Sequence, residues 1–103
     1  MPAVTASIGI WAQGDPSGES VLYRWEADQQ TGYVTFEVPP RRFRPADDSG
    51  RPIGDLLFDA AAGETAGAAA GVNQRLFSQV VVAIMRAYRR AGTAPATAHA
   101  YYY

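Results

Sequence analysis

The side chains that most often perform chemistry are sparse in this sequence. It contains no cysteine and no lysine, and His99 is its single histidine. A thiol nucleophile, a zinc ribbon, a Schiff-base lysine and a phosphate-binding loop of the GxxxxGK type are therefore excluded. Neither a GxGxxG nor a GxSxG string occurs. We predict no catalytic residue, no cofactor and no metal ligand, and we expect His99, close to the end of the sequence, to be exposed or loosely packed.

Carboxylates are the remaining candidates for acid–base or metal chemistry. Asp55 and Asp59 are four residues apart and would share one face if that stretch were helical. Together with Asp47, Asp48 and Glu64 they could hold a divalent ion, but they lack the ligand spacing of a calcium loop. The preferred interpretation is solvated surface carboxylates, and a carboxylate-based enzyme is the second alternative function.

The basic side chains are all arginines, and they are unevenly distributed. Residues 1–64 hold all ten acids and five arginines, whereas residues 65–103 hold four arginines and no acid. Guanidinium groups match the geometry of carboxylates and phosphates. We predict that these four arginines bind a partner: Arg75, Arg86, Arg89 and Arg90. The competing interpretation is that cations near a helix C-terminus complement the helix dipole.

A second basic cluster follows Pro39-Pro40. It consists of Arg41, Arg42 and Arg44 around Phe43, and an aromatic ring beside arginines is a recurring means of binding nucleic acid. The acidic pair at 47–48 would weaken a phosphate site. The segment is therefore interpreted as a solvated loop, with a nucleic-acid-binding loop as the alternative.

Aromatic residues provide the other candidate contact surface. The sequence ends in Tyr101, Tyr102 and Tyr103, which are large amphipathic side chains suited to docking in a groove of this chain or of another. Trp11 alternates with Ile8 and Ile10 and so points to the opposite face of its strand. It is either covered by the aromatic tail or exposed to a partner.

Alternation of apolar and polar residues predicts the strands. Residues 4–11 alternate with the period of a half-buried strand, and a turn-rich segment follows at 13–20. Residues 21–26 and 33–38 are predicted to form a hairpin. Pairing Glu26 with Tyr33 places Trp25 opposite Val34 and collects the apolar residues on one face.

The longest periodic segment predicts a helix over Gln74–Ala91. Asn73 is suited to the N-cap, Gly92 follows the last turn and Pro95 prevents continuation. Its apolar residues recur at spacings of three and four: Leu76, Phe77, Val80, Val81, Ile84, Met85 and Tyr88. The Ala/Gly-rich segment 59–71 before it is either a loop, which is preferred, or a helix with a glycine at every fourth position.

These elements predict an α+β fold in which an antiparallel three- to four-stranded meander carries one long C-terminal helix on one face. Residues 1–92 are assigned to a single domain and residues 93–103 to an aromatic C-terminal tail. A single helix can cover only one face of the sheet, so the other face, which includes Trp11, Leu22 and Tyr33, is expected to be partly uncovered. A homo-oligomer, most simply a homodimer, is therefore expected.

The function that this pattern favours is a small, non-enzymatic binding or accessory module that acts through protein–protein contacts. A nucleic-acid-binding protein that uses the arginine face of the helix is the alternative. The first residues carry no basic n-region, and the longest apolar run has six residues where a membrane span needs about twenty. We expect a cytoplasmic protein with no membrane partner.

Overall fold

One antiparallel sheet and one helix make up the fold. The computed structural model describes residues 6–27 and 29–102. Its elements in chain order are β1 (Ala6–Ala12), β2 (Ser20–Ala27), β3 (Gln30–Glu37), β4 (Arg42–Ala46), β5 (Leu57–Asp59), β6 (Glu64–Ala66), α1 (Gln74–Ala91) and β7 (Thr97–Tyr102). The seven strands are ordered β6-β5-β4-β3-β2-β1-β7.

The α+β class and the single helix are confirmed, but the predicted number of three to four strands is too small. The first six strands form a meander. After β6, α1 leads back to the far edge of the sheet, where β7 pairs with β1. Residues 97–102, assigned from the sequence to a tail, are therefore the edge strand of the same sheet. Tyr103 and the side chains of Tyr101 and Tyr102 lie outside the described part of the chain.

The helix has the predicted bounds because local signals mark both of its ends. The Asn73 side chain accepts a hydrogen bond from the Leu76 N–H at 3.2 Å. At the other end Gly92 adopts the left-handed conformation, with φ of 77°, and its N–H donates to the Tyr88 carbonyl at 2.7 Å. One face of α1 is buried against the sheet: Leu76, Phe77, Val80, Val81, Ala83, Ile84 and Met85.

The core lies between α1 and the face of the sheet that includes Val21, Tyr23 and Trp25, as predicted. Across β3 and β4, Phe36 and Phe43 stack with ring centroids 4.3 Å apart, and both side chains are fully buried. Tyr88 of the helix meets Phe36 edge-on at 5.6 Å. Aromatic pairs in these arrangements stabilise a core beyond the area they bury.

The β2–β3 hairpin has the predicted faces but a different register. Trp25 pairs with Gly32 rather than with Val34, and Tyr23 pairs with Val34. A Cβ on Gly32 would lie 2.5 Å from Cζ2 of Trp25, so the indole covers the glycine. The register differs by two residues, which leaves every side chain on the same face. The apolar pattern alone could not distinguish the two registers.

Residues 42–44 belong to β4 and not to the predicted loop, whereas Arg41 lies in the turn before that strand with φ of 71°. β4 pairs with β3 along its whole length and with β5 only at Arg42 and Phe43. Pro45 is tolerated because its carbonyl accepts the Ile53 N–H, so its missing donor lies on the side away from β3. The prolines and charges that suggested irregular structure therefore mark a strand whose outer side is only partly paired.

The helical alternative for residues 59–71 is wrong, and the loop interpretation is correct only in part, because residues 64–66 form β6. Gly63, Gly67 and Gly71 all have φ between 68° and 78°, which no α-helix contains. The segment instead forms the short β5–β6 hairpin and an irregular connection to α1. Gly67 also contacts the backbone carbonyl of Asp55 so closely that a Cβ would collide with it.

Tyr23 ties the sheet to the segment that leads into β7. Its side chain is fully buried, and its hydroxyl donates to the Pro95 carbonyl at 2.7 Å. Burial raises the pKa of Tyr23 above its usual value of about 10. In the unfolded chain this hydroxyl ionises near pH 10, whereas in the folded chain it stays protonated. Stability is therefore full below pH 10 and declines as the pH rises above it.

We expect Tyr23→Phe to lower the free energy of unfolding by about 1–3 kcal/mol at pH 7, because the Pro95 carbonyl loses its donor. Above pH 10 the wild-type protein loses roughly 1.4 kcal/mol per pH unit through this group, and the variant does not. Urea unfolding at pH 7 and pH 11 measures both effects. Tyr33→Phe, on the other face of the sheet, is the control, and an equal loss in both variants contradicts the assignment.

Candidate functional site

The face of the sheet opposite α1 is mostly polar. Arg24 and Glu26 form an ion pair at 2.9 Å, and Arg44 and Glu37 form another at 3.4 Å. Leu22 and Tyr33 are half-buried, and Trp11 is the one large apolar side chain of this face, among the described residues, that is exposed, at 40%. The apolar surface that the described side chains of this face leave open is therefore small and centred on one indole.

The indole of Trp11 lies flat along β1. A Cβ on Gly9 would be 2.6 Å from Cη2 of Trp11, so the ring occupies the space above the glycine. Gly9 and Trp11 are two residues apart on one strand and share a face. β7 lies beside them, with His99 opposite Gly9 and Thr97 opposite Trp11. Trp11, Thr97 and His99 thus form one group at this edge of the sheet.

The helix brings a cationic stripe to the same edge. Ala83, Arg86, Ala87 and Arg90 follow the spacing that places residues on one helical face. The alanines on this stripe and Ala98 on β7 are small, which allows the helix and the strand to approach closely. The longer guanidinium side chains flank that contact and are exposed.

These two groups line an open groove of about 620 Å³ that runs over the β7 edge of the sheet, with the arginine stripe on the helix side and Trp11 and His99 on the opposite face. Its wall is formed on the helix side by the stripe just described and on the sheet side by Gly9, Trp11, Thr97, Ala98 and His99. No acidic side chain of the described residues lines it. Two arginines, a histidine, a hydroxyl and an indole make it suited to an anionic ligand with some apolar surface.

The predicted partner-binding residues are only partly gathered in this groove. Trp11, Arg86 and Arg90 line it, whereas Arg89 lines a neighbouring cavity with Arg86. Arg75 lies in the first turn of α1, at the opposite end of the helix. His99, expected to be exposed or loosely packed, is an exposed residue of the groove that sequence reasoning missed as a site residue. The alternation of polar and small residues over Thr97, Ala98, His99 and Ala100 was the signal that could have placed it on a strand.

The predicted nucleic-acid segment does not present its aromatic ring. Phe43 is fully buried and stacked on Phe36, so it has no face available to a base. Arg44 pairs with Glu37, and Arg42 lies 3.8 Å from Asp59. Acidic partners from β3 and β5 therefore compensate two of the three arginines of this cluster.

The carboxylates that could have formed an acid–base or metal site are dispersed. Asp47 holds a turn: hydrogen bonds from Ser49 and Arg51, together with the charge of Arg51, keep the pKa of Asp47 below its usual value. Within residues 6–27 and 29–102 no three His, Cys, Asp or Glu side chains are grouped closely enough to hold a metal ion. Asp55, Asp59 and Glu64 do not line the groove.

Comparison with known proteins provides no relative. The chain matches no protein-family model, no curated protein and no solved structure. Over the described residues, no helix has both the length and the apolarity that crossing a bilayer requires. The groove along β7 is therefore interpreted from its own geometry and charge.

Proposed function

We propose that the protein is a small, non-enzymatic binding module that holds an acidic segment of a protein partner in the groove along β7. The observation that carries the proposal is the lining of that groove. Arg86 and Arg90 line it on the helix side, Trp11 and His99 line it on the sheet side, and no acidic side chain of the described residues lines it.

The chemistry of the lining fits aspartate and glutamate side chains. A guanidinium group donates two parallel hydrogen bonds to one carboxylate, and such charge-assisted bonds are shorter and stronger than neutral ones. Arg86 and Arg90 lie one helical turn apart, about 6 Å along the axis, so each can receive its own carboxylate. Trp11 adds a broad apolar surface, which favours a segment in which acids alternate with apolar or aromatic residues.

The small size of the cationic patch favours an acidic protein segment over nucleic acid. Two arginines line the groove, and the whole chain carries a net charge of −1, whereas nucleic-acid binding draws its affinity from many phosphate contacts. Nucleic acid is therefore the alternative.

Homo-oligomerisation is a separate proposal. Residues 1–64 contain all ten acids of the chain, so a second copy could supply carboxylates to the groove of the first. The exposed indole of Trp11 is the apolar surface that such a contact would cover. Light scattering at tens of micromolar tests this proposal, and a monomer at that concentration contradicts it.

The binding test uses a fluorescent ten-residue peptide of alternating glutamate and tyrosine, with a glutamine-for-glutamate peptide for comparison. We expect saturable binding of the acidic peptide that weakens as salt is added. Replacing both groove arginines, in Arg86→Gln/Arg90→Gln, is expected to weaken binding roughly tenfold or more because charge-assisted hydrogen bonds are lost. The matched control is Arg41→Gln/Arg42→Gln, which removes the same charge on the β3–β4 side of the sheet.

If the two double variants lose equal affinity for the acidic peptide, the assignment to the groove is contradicted, because the losses would reflect net charge alone. Tighter binding of a single-stranded oligonucleotide than of the acidic peptide, lost only in Arg86→Gln/Arg90→Gln, establishes the nucleic-acid alternative instead. A wild-type dimer that dissociates on the same double substitution identifies a second copy as the occupant.

A further inference from the structure

A second, smaller cavity lies at the other end of α1, away from the groove. It has a volume of about 140 Å³ and opens where the first turn of the helix meets β2, β3 and the end of β4. Its apolar lining comes from Trp25, Phe77, Val72, Ile53 and Pro45. Thr31 and Asn73 are among its few polar lining residues.

Trp25 contributes to the lining of this cavity a hydrogen-bond donor, Nε1–H, that no atom of the described residues accepts. The side chain is 8% exposed, and the indole covers Gly32, whose Cβ position is 2.8 Å from Nε1. Among the described residues every fully enclosed side-chain nitrogen or oxygen has a hydrogen-bond partner. Nε1 has none among them, so this atom is not enclosed, and it lies beside Gly32, which lines the cavity together with Trp25. The N–H of a largely buried indole usually has an acceptor.

The N-terminal end of α1 independently favours a negative charge at the same place. α1 has 18 residues and no acidic side chain in its first turn, so no charge of its own complements the positive end of its dipole. Asn73 caps the Leu76 N–H with its carbonyl oxygen. A negative charge in the cavity would complement the dipole, and an oxygen of the same group would accept from Trp25.

We infer that this cavity binds a small apolar carboxylic acid in its ionised form. One carboxylate oxygen accepts the Trp25 Nε1–H, and the apolar part of the ligand lies against Phe77 and Val72. The volume is below that of cavities that hold drug-sized ligands, about 300–1,000 Å³, which limits the ligand to a single ring or a short branched chain. The inference does not depend on the proposed function, because the groove residues lie at the opposite end of the helix.

The test follows the two indole N–H resonances of the ¹⁵N-labelled protein during titration with benzoate, and Trp11→Phe assigns them. We expect a saturable shift of the Trp25 resonance that persists in Arg86→Gln/Arg90→Gln, so that benzoate bound in the groove beside Trp11 does not account for it. Benzyl alcohol, which has the same ring and no charge, is expected to bind at least about tenfold more weakly. A Trp25 resonance that does not respond to benzoate, or that responds equally to the alcohol, overturns the inference.

Two variants test the contribution of the Trp25 N–H donor and that of the cavity space separately. Trp25→Phe keeps an aromatic ring and removes the N–H, and it is expected to weaken benzoate binding roughly tenfold. If Trp25→Phe fails to fold, Val72→Phe fills the cavity from its rim, leaves the indole intact and is expected to abolish the shift. Undiminished benzoate binding in a folded variant of either kind overturns the inference.

Discussion

Phe43→Ala is expected to lower the free energy of unfolding by about 3–5 kcal/mol, the usual cost of removing a large aromatic side chain from a core. Phe43 is fully buried, stacks on Phe36 at 4.3 Å and lies near Phe58 at 6.4 Å. Truncation leaves a cavity at the point where β3, β4 and β5 meet, and the surrounding strands can fill it only in part.

Urea denaturation followed by circular dichroism measures this loss. Phe58→Ala is the matched control, because Phe58 is half-buried at the margin of the core and its ring is tilted, not stacked, against Phe43. Its loss is expected to be clearly smaller. A larger loss for Phe58→Ala than for Phe43→Ala contradicts the placement of Phe43. The experiment also tests whether residues 42–44 are a core strand or a surface loop, since truncating an exposed loop residue would usually change stability by less than about 0.5 kcal/mol.

The second prediction compares two glycines that lie beneath tryptophans. Gly32→Ala places a Cβ 2.5 Å from the Trp25 indole, and Gly9→Ala places one 2.6 Å from the Trp11 indole. The overlaps are nearly equal, but Trp25 is 8% exposed and Trp11 is 40% exposed. The buried ring is packed in the core and can move only toward the small cavity beside it, so Gly32→Ala is expected to cost about 1–3 kcal/mol, as overpacking does. The exposed ring can swing into solvent, so Gly9→Ala is expected to cost much less.

Thermal or urea unfolding of the two variants provides the comparison. Equal losses in the free energy of unfolding would show that the difference in ring burial does not determine the cost of the added methyl group. Gly9→Ala also moves the indole that forms one wall of the groove. It is therefore expected to weaken binding of the acidic peptide while leaving the fold intact. The main expected effect of Gly32→Ala, in contrast, is a loss of stability.

Parts of this fold that depend on neighbouring residues in the chain could be read from the sequence. The bounds of α1 were predicted correctly because Asn73 and Gly92 act within one turn of the helix ends. The faces of β2 and β3 were also correct, because alternation is a local property. The register was not, because it depends on the fit of the Trp25 indole over Gly32, a contact between two strands.

Short strands escaped the sequence analysis because they form only beside existing neighbours. β5 and β6 have three residues each, too few for a period to be recognised. β7 was assigned to a tail, although β1 pairs with it along its length. The same error concealed the site: Trp11, Arg86 and Arg90 were predicted as partner-binding residues, but His99 acquires its place beside them only through β7.

The sequence by itself determined the chemistry available to this protein and the position of its helix. The absence of cysteine and lysine, the four arginines after residue 64 and the capped amphipathic segment are all properties of the one-dimensional chain. Tertiary structure alone decided which of these residues meet. The groove joins residues 9 and 11 to residues 83–99 because α1 returns the chain across the sheet and places β7 against β1. Backbone pairing between segments some ninety residues apart leaves little local trace in either segment, and so its consequences for the site emerge only in the folded molecule.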